Sequence, residues 1–288
     1  MIKDMKNRAT QLCALLLKIL IVFISVCVLI YILQDGMIFF NVNDLASRNF
    51  LQDIDGYYEI EFTAENGKTY HGMMYQITDE KVPLVIYFGG NGEVSYRHMR
   101  SRKVMEQWSY FARYNYIFVD YDGYGLNDGR TNFLNMYEGA LAIYDYAVTL
   151  PNVDSEHIVA MGFSLGTGSA VYLAANRPVS GLILAAPYAN GYDLYNNVLP
   201  IFVGPMRFLV RQKLPSDEHA LDVTCPVLII ASRDDEIIPF SSSMRLSKRF
   251  PGDVDFMTLD SASHNDIFRA KGVFAGVQSF LEEQIPGW

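Results

Sequence analysis

Gly162-Phe163-Ser164-Leu165-Gly166 is the stretch on which the reading of this chain turns, because it joins an apolar run at 157–162 to a run of helical character at 165–175. A serine on a tight strand-to-helix turn needs small residues on both sides, and the helix that follows aims its free N-terminal N–H groups at the hydroxyl. Alone, the pattern G-x-S-x-G is weak. Its weight comes from the strand and helix signals on either side.

Upstream, 57–64 and 69–77 read as the two strands of a hairpin that turns at 65–68. A strand at 83–88, a helix at 97–110, a strand at 116–121 and a helix at 135–149 follow. Downstream come strands at 182–186 and 227–231, a helix at 241–250, a strand at 254–259 and a closing helix from about 266 to 283. Nearly continuous apolar strands spaced by helices predict an α/β fold, a mostly parallel sheet with helices on both faces. Residues 190–224 are too long for a strand connection and are expected to form an insertion over the carboxyl ends of the strands, read as a small lid, with a buried helix pair as the alternative. Pro200, Ile201, Phe202, Val203, Pro205, Phe208 and Leu209 make it apolar.

The chain of 288 residues is half apolar and 14% aromatic, enough for a sizeable core and too much for a disordered polymer. Its net charge of −9 comes without any Lys/Arg-rich run, which excludes a nucleic-acid partner on electrostatic grounds. The charge is uneven: 1–33 carry Lys3, Lys6, Arg8 and Lys18 against Asp4 alone, a net of +3, which leaves −12 for 34–288. Residues 12–33 contain one charge, Lys18, and as a helix would span roughly 33 Å. This apolar run exceeds the roughly 7–15 residues of a signal-peptide core and no small-x-small pair follows it, so an uncleaved anchor is expected. The cations on its N-terminal side predict a single-pass membrane protein with residues 1–11 as a cytoplasmic tail, 34–54 as a linker, and 55–288 as an extracytoplasmic catalytic domain. Of the cysteines only Cys225 lies beyond the anchor, so the domain holds no internal disulfide.

A serine hydroxyl needs an imidazole to take its proton and a carboxylate to orient that imidazole. Of five histidines, His71 falls on the hairpin, His98 at a helix start, His157 at the wrong end of the serine's own strand and His219 in the insertion. His264 follows the last strand, in a polar loop able to reach Ser164. The strand at 227–231 runs into Asp234, Asp235 and Glu236; Asp235 is the expected acid and Asp234 the alternative. The order Ser164, Asp235, His264 is the one this hydrolase topology imposes.

With these residues in place, the chain resembles an α/β-hydrolase of the serine-aminopeptidase-like group, including its small membrane-anchored members. The resemblance covers about 55–284. It rests on Phe88-Gly89-Gly90-Asn91-Gly92, on 120–129 (Asp120-Tyr121-Asp122-Gly123-Tyr124-Gly125-Leu126-Asn127-Asp128-Gly129), on the turn at Ser164, and on Asp235-Glu236-Ile237-Ile238-Pro239. The chain departs from the family at Gly89, where histidine is usual, at Asp122, where arginine is usual, and at Asn127, where serine is usual. The resemblance implies main-chain oxyanion donors at Asn91 and Leu165. It implies no metal or organic cofactor.

These residues together predict a membrane-anchored serine hydrolase that cleaves a carboxylic ester or thioester through an acyl-enzyme on Ser164, with a small-molecule or lipid-like acyl substrate. Two other readings stay open at this stage: a non-catalytic binding protein on the same fold, and an acyltransferase or peptidase using the same three residues.

Overall fold

The computed structural model describes residues 2–105, 112–198 and 200–286; positions 106–110 of the expected helix at 97–110 lie outside them. The chain opens with helix α1 (Ile2–Ile38), longer at both ends than the expected anchor, and continues through α2 (Leu45–Leu51), β1 (Tyr57–Thr63), β2 (Thr69–Tyr75) and β3 (Val82–Phe88). Next come α3 (Ser95–Met105), β4 (Asn115–Val119), α4 (Phe133–Ala147), β5 (Val153–Phe163), α5 (Thr167–Asn176) and β6 (Gly181–Ala185). The insertion carries α6 (Gly191–Val198) and α7 (Ser216–His219), after which β7 (Val227–Ser232), α8 (Phe240–Ser247), β8 (Val254–Leu259) and α9 (Val273–Gln284) complete the chain.

The eight strands form one sheet in the order β1-β2-β4-β3-β5-β6-β7-β8, antiparallel at the β1-β2 and β2-β4 pairs and parallel from β4 to β8. All residues of β3, β4, β6 and β7 are buried. That follows from their nearly continuous apolar sequence, in which Asn115 and Ser232 at strand ends are the polar exceptions, since a strand covered on both faces has no polar side to show. Alternate residues feed opposite layers: Val85 and Tyr87 join the core under α3 and α9, while Leu84 and Ile86 join the core under α4, α5 and α8. Each large apolar side chain so enclosed is worth about 1.5–3 kcal/mol against exposure.

Three segments differ from expectation. Strand β5 begins four residues before 157, because Val153 pairs with Val82 although Asp154, Ser155 and Glu156 break the apolar run that marks the strand. The closing helix is two pieces, a 3-10 turn His264–Arg269 and then α9, separated at Gly272, whose φ of 88° no continuous helix accommodates. Residues 34–54, expected as a linker, are packed against the rest of the chain. Phe39 and Leu51 belong to the main core, and Gln34, fully buried at the end of α1, donates to Leu209 O (2.9 Å) and accepts from Arg211 N–H (2.8 Å). Tertiary partners far along the chain capture this segment, and its local composition does not announce them.

Between Thr10 and Gly36, α1 is apolar with its side chains largely uncovered, and it is the one helix among the described residues long and apolar enough to cross a membrane. The insertion packs Tyr195, Phe202 and Val210 together, with Ile30 and Ile38 of α1 against them.

Candidate active site

Backbone sterics build the turn at Ser164. Serine here has φ 51°, in the left-handed region that costs an L-residue roughly 1–2 kcal/mol. A Cβ on Gly162 would lie 2.7 Å from Gly166 O, and one on Gly166 would lie 2.0 Å from Phe88 O, so both flanking positions require glycine. Thr167 Oγ1 donates to Ser164 O (2.7 Å) and closes the turn. Ser164 thus stands at the carboxyl end of β5, ahead of the N-terminus of α5.

His264 Nε2 lies 2.8 Å from Ser164 Oγ, and His264 Nδ1 lies 2.9 and 2.8 Å from the two oxygens of Asp235. A carboxylate only accepts, so Nδ1 carries the ring proton and Nε2 is left to accept from the serine hydroxyl. Asp235 is held in turn: its Oδ1 accepts from Ile237 N–H (2.9 Å) and Ile238 N–H (2.8 Å). The Asp235 and His264 side chains are buried, whereas Asp234 is exposed and lines a surface depression with Ser261 and Arg269. The structure therefore places Asp235, and not Asp234, against the imidazole. Phe163 covers the ring at a centroid distance of 5.0 Å.

Two residues that sequence reasoning passed over hold the histidine loop. Ser232 Oγ, at the end of β7, donates to Ala262 O (2.7 Å) and accepts from Ala262 N–H (3.1 Å), stapling the loop to the neighbouring strand end. Glu236 Oε2 accepts from His264 N–H (3.0 Å). Asp235 thus orients the ring while its neighbour holds the main chain. An acidic pair after an apolar strand was the available signal, although nothing local divides the two tasks. The other four histidines lie elsewhere: His71 beside Glu61, His98 between Tyr87 and Tyr116, His157 on Asp154, and His219 against Tyr137 and Tyr172.

Gly90 brings the loop after β3 against the serine, where a Cβ on it would stand 3.5 Å from Ser164 Cβ. Asn91 follows, and Leu165 stands directly after the serine, so the two expected oxyanion donors lie on the two loops that meet there. The three departures from the family pattern have structural counterparts. A side chain at Gly89 would strike the Phe118 ring (2.3 Å), and the Gly89 carbonyl instead accepts from Tyr121 OH (2.8 Å). Asp122 forms a salt bridge with Lys68 from the hairpin turn and accepts from Asn135 Nδ2 (2.6 Å). Asn127 accepts from His71 N–H (2.7 Å) and donates to Asp120 O, tying its loop to β2. Behind these loops, burial pushes the Asp120 carboxyl up to about 7, against two hydrogen bonds from Ser95 that favour its ionised form.

A sheet in this strand order, with Ser164 after β5, Asp235 after β7 and His264 after β8 at its carboxyl edge, defines the class: the chain is an α/β-hydrolase-fold protein. No family model matches it. Among curated proteins it is similar to the α/β hydrolase domain-containing protein aho-3 of Caenorhabditis elegans, 29% identical over 168 residues that cover 58% of this chain and 49% of that protein. It is also similar to α/β hydrolase domain-containing protein 17C of Xenopus tropicalis, 29% identical over 172 residues that cover 60% and 54%. The chain thus spans about half the length of the curated relatives it matches. Among solved structures, an esterase of Pyrococcus furiosus superposes with a TM-score of 0.66 at 16% identity, covering 85% of this chain and 98% of that one. Acetyl xylan esterase 1 from a Thermoanaerobacterium species superposes with a TM-score of 0.61 at 17% identity, covering 81% and 85%.

Proposed function

We propose that the protein is a membrane-anchored serine hydrolase that cleaves a carboxylic ester or thioester, and that Ser164, His264 and Asp235 are its catalytic residues. The observation that carries this reading is the unbroken hydrogen-bonded chain from Ser164 Oγ through both ring nitrogens of His264 to Asp235, at 2.8–2.9 Å throughout. Such a chain does for serine what its own acidity cannot. His264 Nε2 takes the hydroxyl proton as Oγ bonds to the acyl carbon, and the carbonyl oxygen becomes an anion beside the Asn91 and Leu165 amides. Collapse breaks the bond to the alcohol or thiol, which leaves with the proton from His264. Water then repeats the sequence on the acyl-enzyme and frees the acid. A fluorophosphonate probe applied to the full chain in detergent tests the reading, with labelling expected at Ser164. An unlabelled, natively folded protein would favour a non-catalytic binding protein on the same fold.

Lipid-like or acylated substrates rank first, on two supports. The insertion contacts both the acid loop and α1: Asn197 Nδ2 donates to Glu236 O (3.0 Å) and Ile237 O (2.8 Å), while Leu209 and Arg211 bond Gln34. At the same end, Val203 is 60% and Phe208 89% exposed, apolar surface that a lipid phase would cover. With p-nitrophenyl esters, turnover by the full chain should rise about tenfold from butyryl to octanoyl, as expected if four methylenes at ~0.8 kcal/mol each are about half buried. A steady fall with chain length would indicate a small soluble ester instead.

The anchor reading makes a separate prediction. The N-terminal cations favour residues 1–11 on the cytoplasmic side; on this reading protease added to intact cells should remove the C-terminal domain and leave the short N-terminal tail protected. A domain protected until the membrane is breached would reverse the orientation.

A further inference from the structure

The loop that carries the expected oxyanion donor is Gly89-Gly90-Asn91-Gly92, three glycines in four residues. Such a sequence has a large conformational entropy to lose, and a main-chain N–H stabilises a developing charge only when it is already aimed. Tyr121 OH holds the Gly89 carbonyl (2.8 Å) and Glu93 Oε2 the Gly90 N–H (2.7 Å), which leaves the Asn91 peptide to the loop's own single side chain, and that side chain is heavily engaged. Asn91 Oδ1 accepts from Phe40 N–H (2.9 Å) and from Tyr124 OH (2.7 Å), and Asn91 Nδ2 donates to Ile38 O. Two of these three partners belong to the strap, residues 38–42, by which the chain leaves α1.

The strap is itself fixed. Phe39 is buried in the main core, and Val42 O accepts from Gly125 N–H (2.9 Å). One helical turn before the strap, Gln34 is clamped to the insertion. Gly92, with φ 77°, lets the loop turn beneath the strap, where a Cβ would come within 3.9 Å of Val42. Tyr124 is kept protonated, since burial pushes its hydroxyl up to about 12, and it donates to Asn91 across the neutral range.

We propose that Asn91 is a positioning residue, whose carboxamide ties the oxyanion loop to the strap 38–42 and makes the exit of the anchor helix a working part of the active site. This rests on the reading of Ser164 as the nucleophile and of the Asn91 amide as an oxyanion donor. In consequence, cutting the chain within the strap disarms the site even where the domain remains folded.

The test uses the full chain in detergent or nanodiscs, with an ester substrate. Asn91→Ala keeps the main-chain N–H but frees the loop. It is expected to lower kcat about 10- to 100-fold, somewhat less than deletion of an oxyanion donor, with KM within about twofold and a thermal midpoint lowered by only a few degrees, too little to account for the loss. Phe40→Pro removes the strap's N–H and should lower kcat in the same direction, while the double variant should be no worse than Asn91→Ala alone, because both break one linkage. Tyr124→Phe keeps the ring and removes only the hydroxyl, so it reads the same clamp if Phe40→Pro lowers the thermal midpoint, and a several-fold fall in kcat is expected. Wild-type kcat in both Asn91→Ala and Tyr124→Phe, or losses that only follow thermal stability, would overturn the inference while leaving Ser164 as nucleophile. A wild-type chain that neither labels nor turns over ester would overturn both.

Discussion

Ser164→Ala is expected to abolish fluorophosphonate labelling and to lower ester turnover by about 10³–10⁶, with the thermal midpoint nearly unchanged. Stability should survive because the backbone strain at this position, φ 51°, is already borne by a residue with a Cβ, and alanine adds no atom. The contacts that force the turn, from Gly162 and Gly166 to their neighbours, do not involve the hydroxyl. The Ser164 hydroxyl bonds His264, which keeps its other partners on Asp235 and Glu236. Turnover by the alanine variant equal to wild type would refute the assignment of the nucleophile, whatever the fate of the fold.

Asp235→Asn should lower turnover by about 10⁴, and Asp234→Asn by no more than about twofold. The asparagine amide would donate toward His264 Nδ1 and force the ring proton onto Nε2, where it could no longer accept from Ser164. The residue's carbonyl oxygen could still accept from Ile237 and Ile238, and Glu236 would still hold the His264 main chain, so the loss is one of tautomer and not of architecture. Asp234 is exposed, so its charge acts on the imidazole through solvent. Equal damage at both positions would mean that the loop acts through its net charge. His264→Gln should match the serine variant, and activity surviving there would separate the histidine from the reaction.

The sequence alone determined most of the frame, because the relevant forces are local or periodic. Unbroken apolar runs such as those in β3 and β6 admit no exposed face, which makes the sheet parallel and covered. The small residues at 162 and 166 leave Ser164 one kind of turn, and an apolar helix as long as α1 announces itself by length and composition. Where the reading was incomplete, the deciding contacts lie far apart along the chain. Asp234 and Asp235 are chemically identical neighbours, and only the approach of a loop 29 residues further on singles out the second. The polar start of β5 pairs with β3 only because the sheet is there to receive it. Residues 34–54 are expected as a linker from their place between helix and domain, yet Gln34 meets partners 175 and 177 residues away, and the strap meets Asn91 across more than fifty. Sequence carries turn sterics and burial periodicity because these act within a few residues. The contact of Asp235 rather than Asp234 with His264, the Ser232 and Glu236 supports and the bonds from residues 38–40 to Asn91 were decided by tertiary structure, since each is a hydrogen bond whose second partner is supplied only by the folded chain.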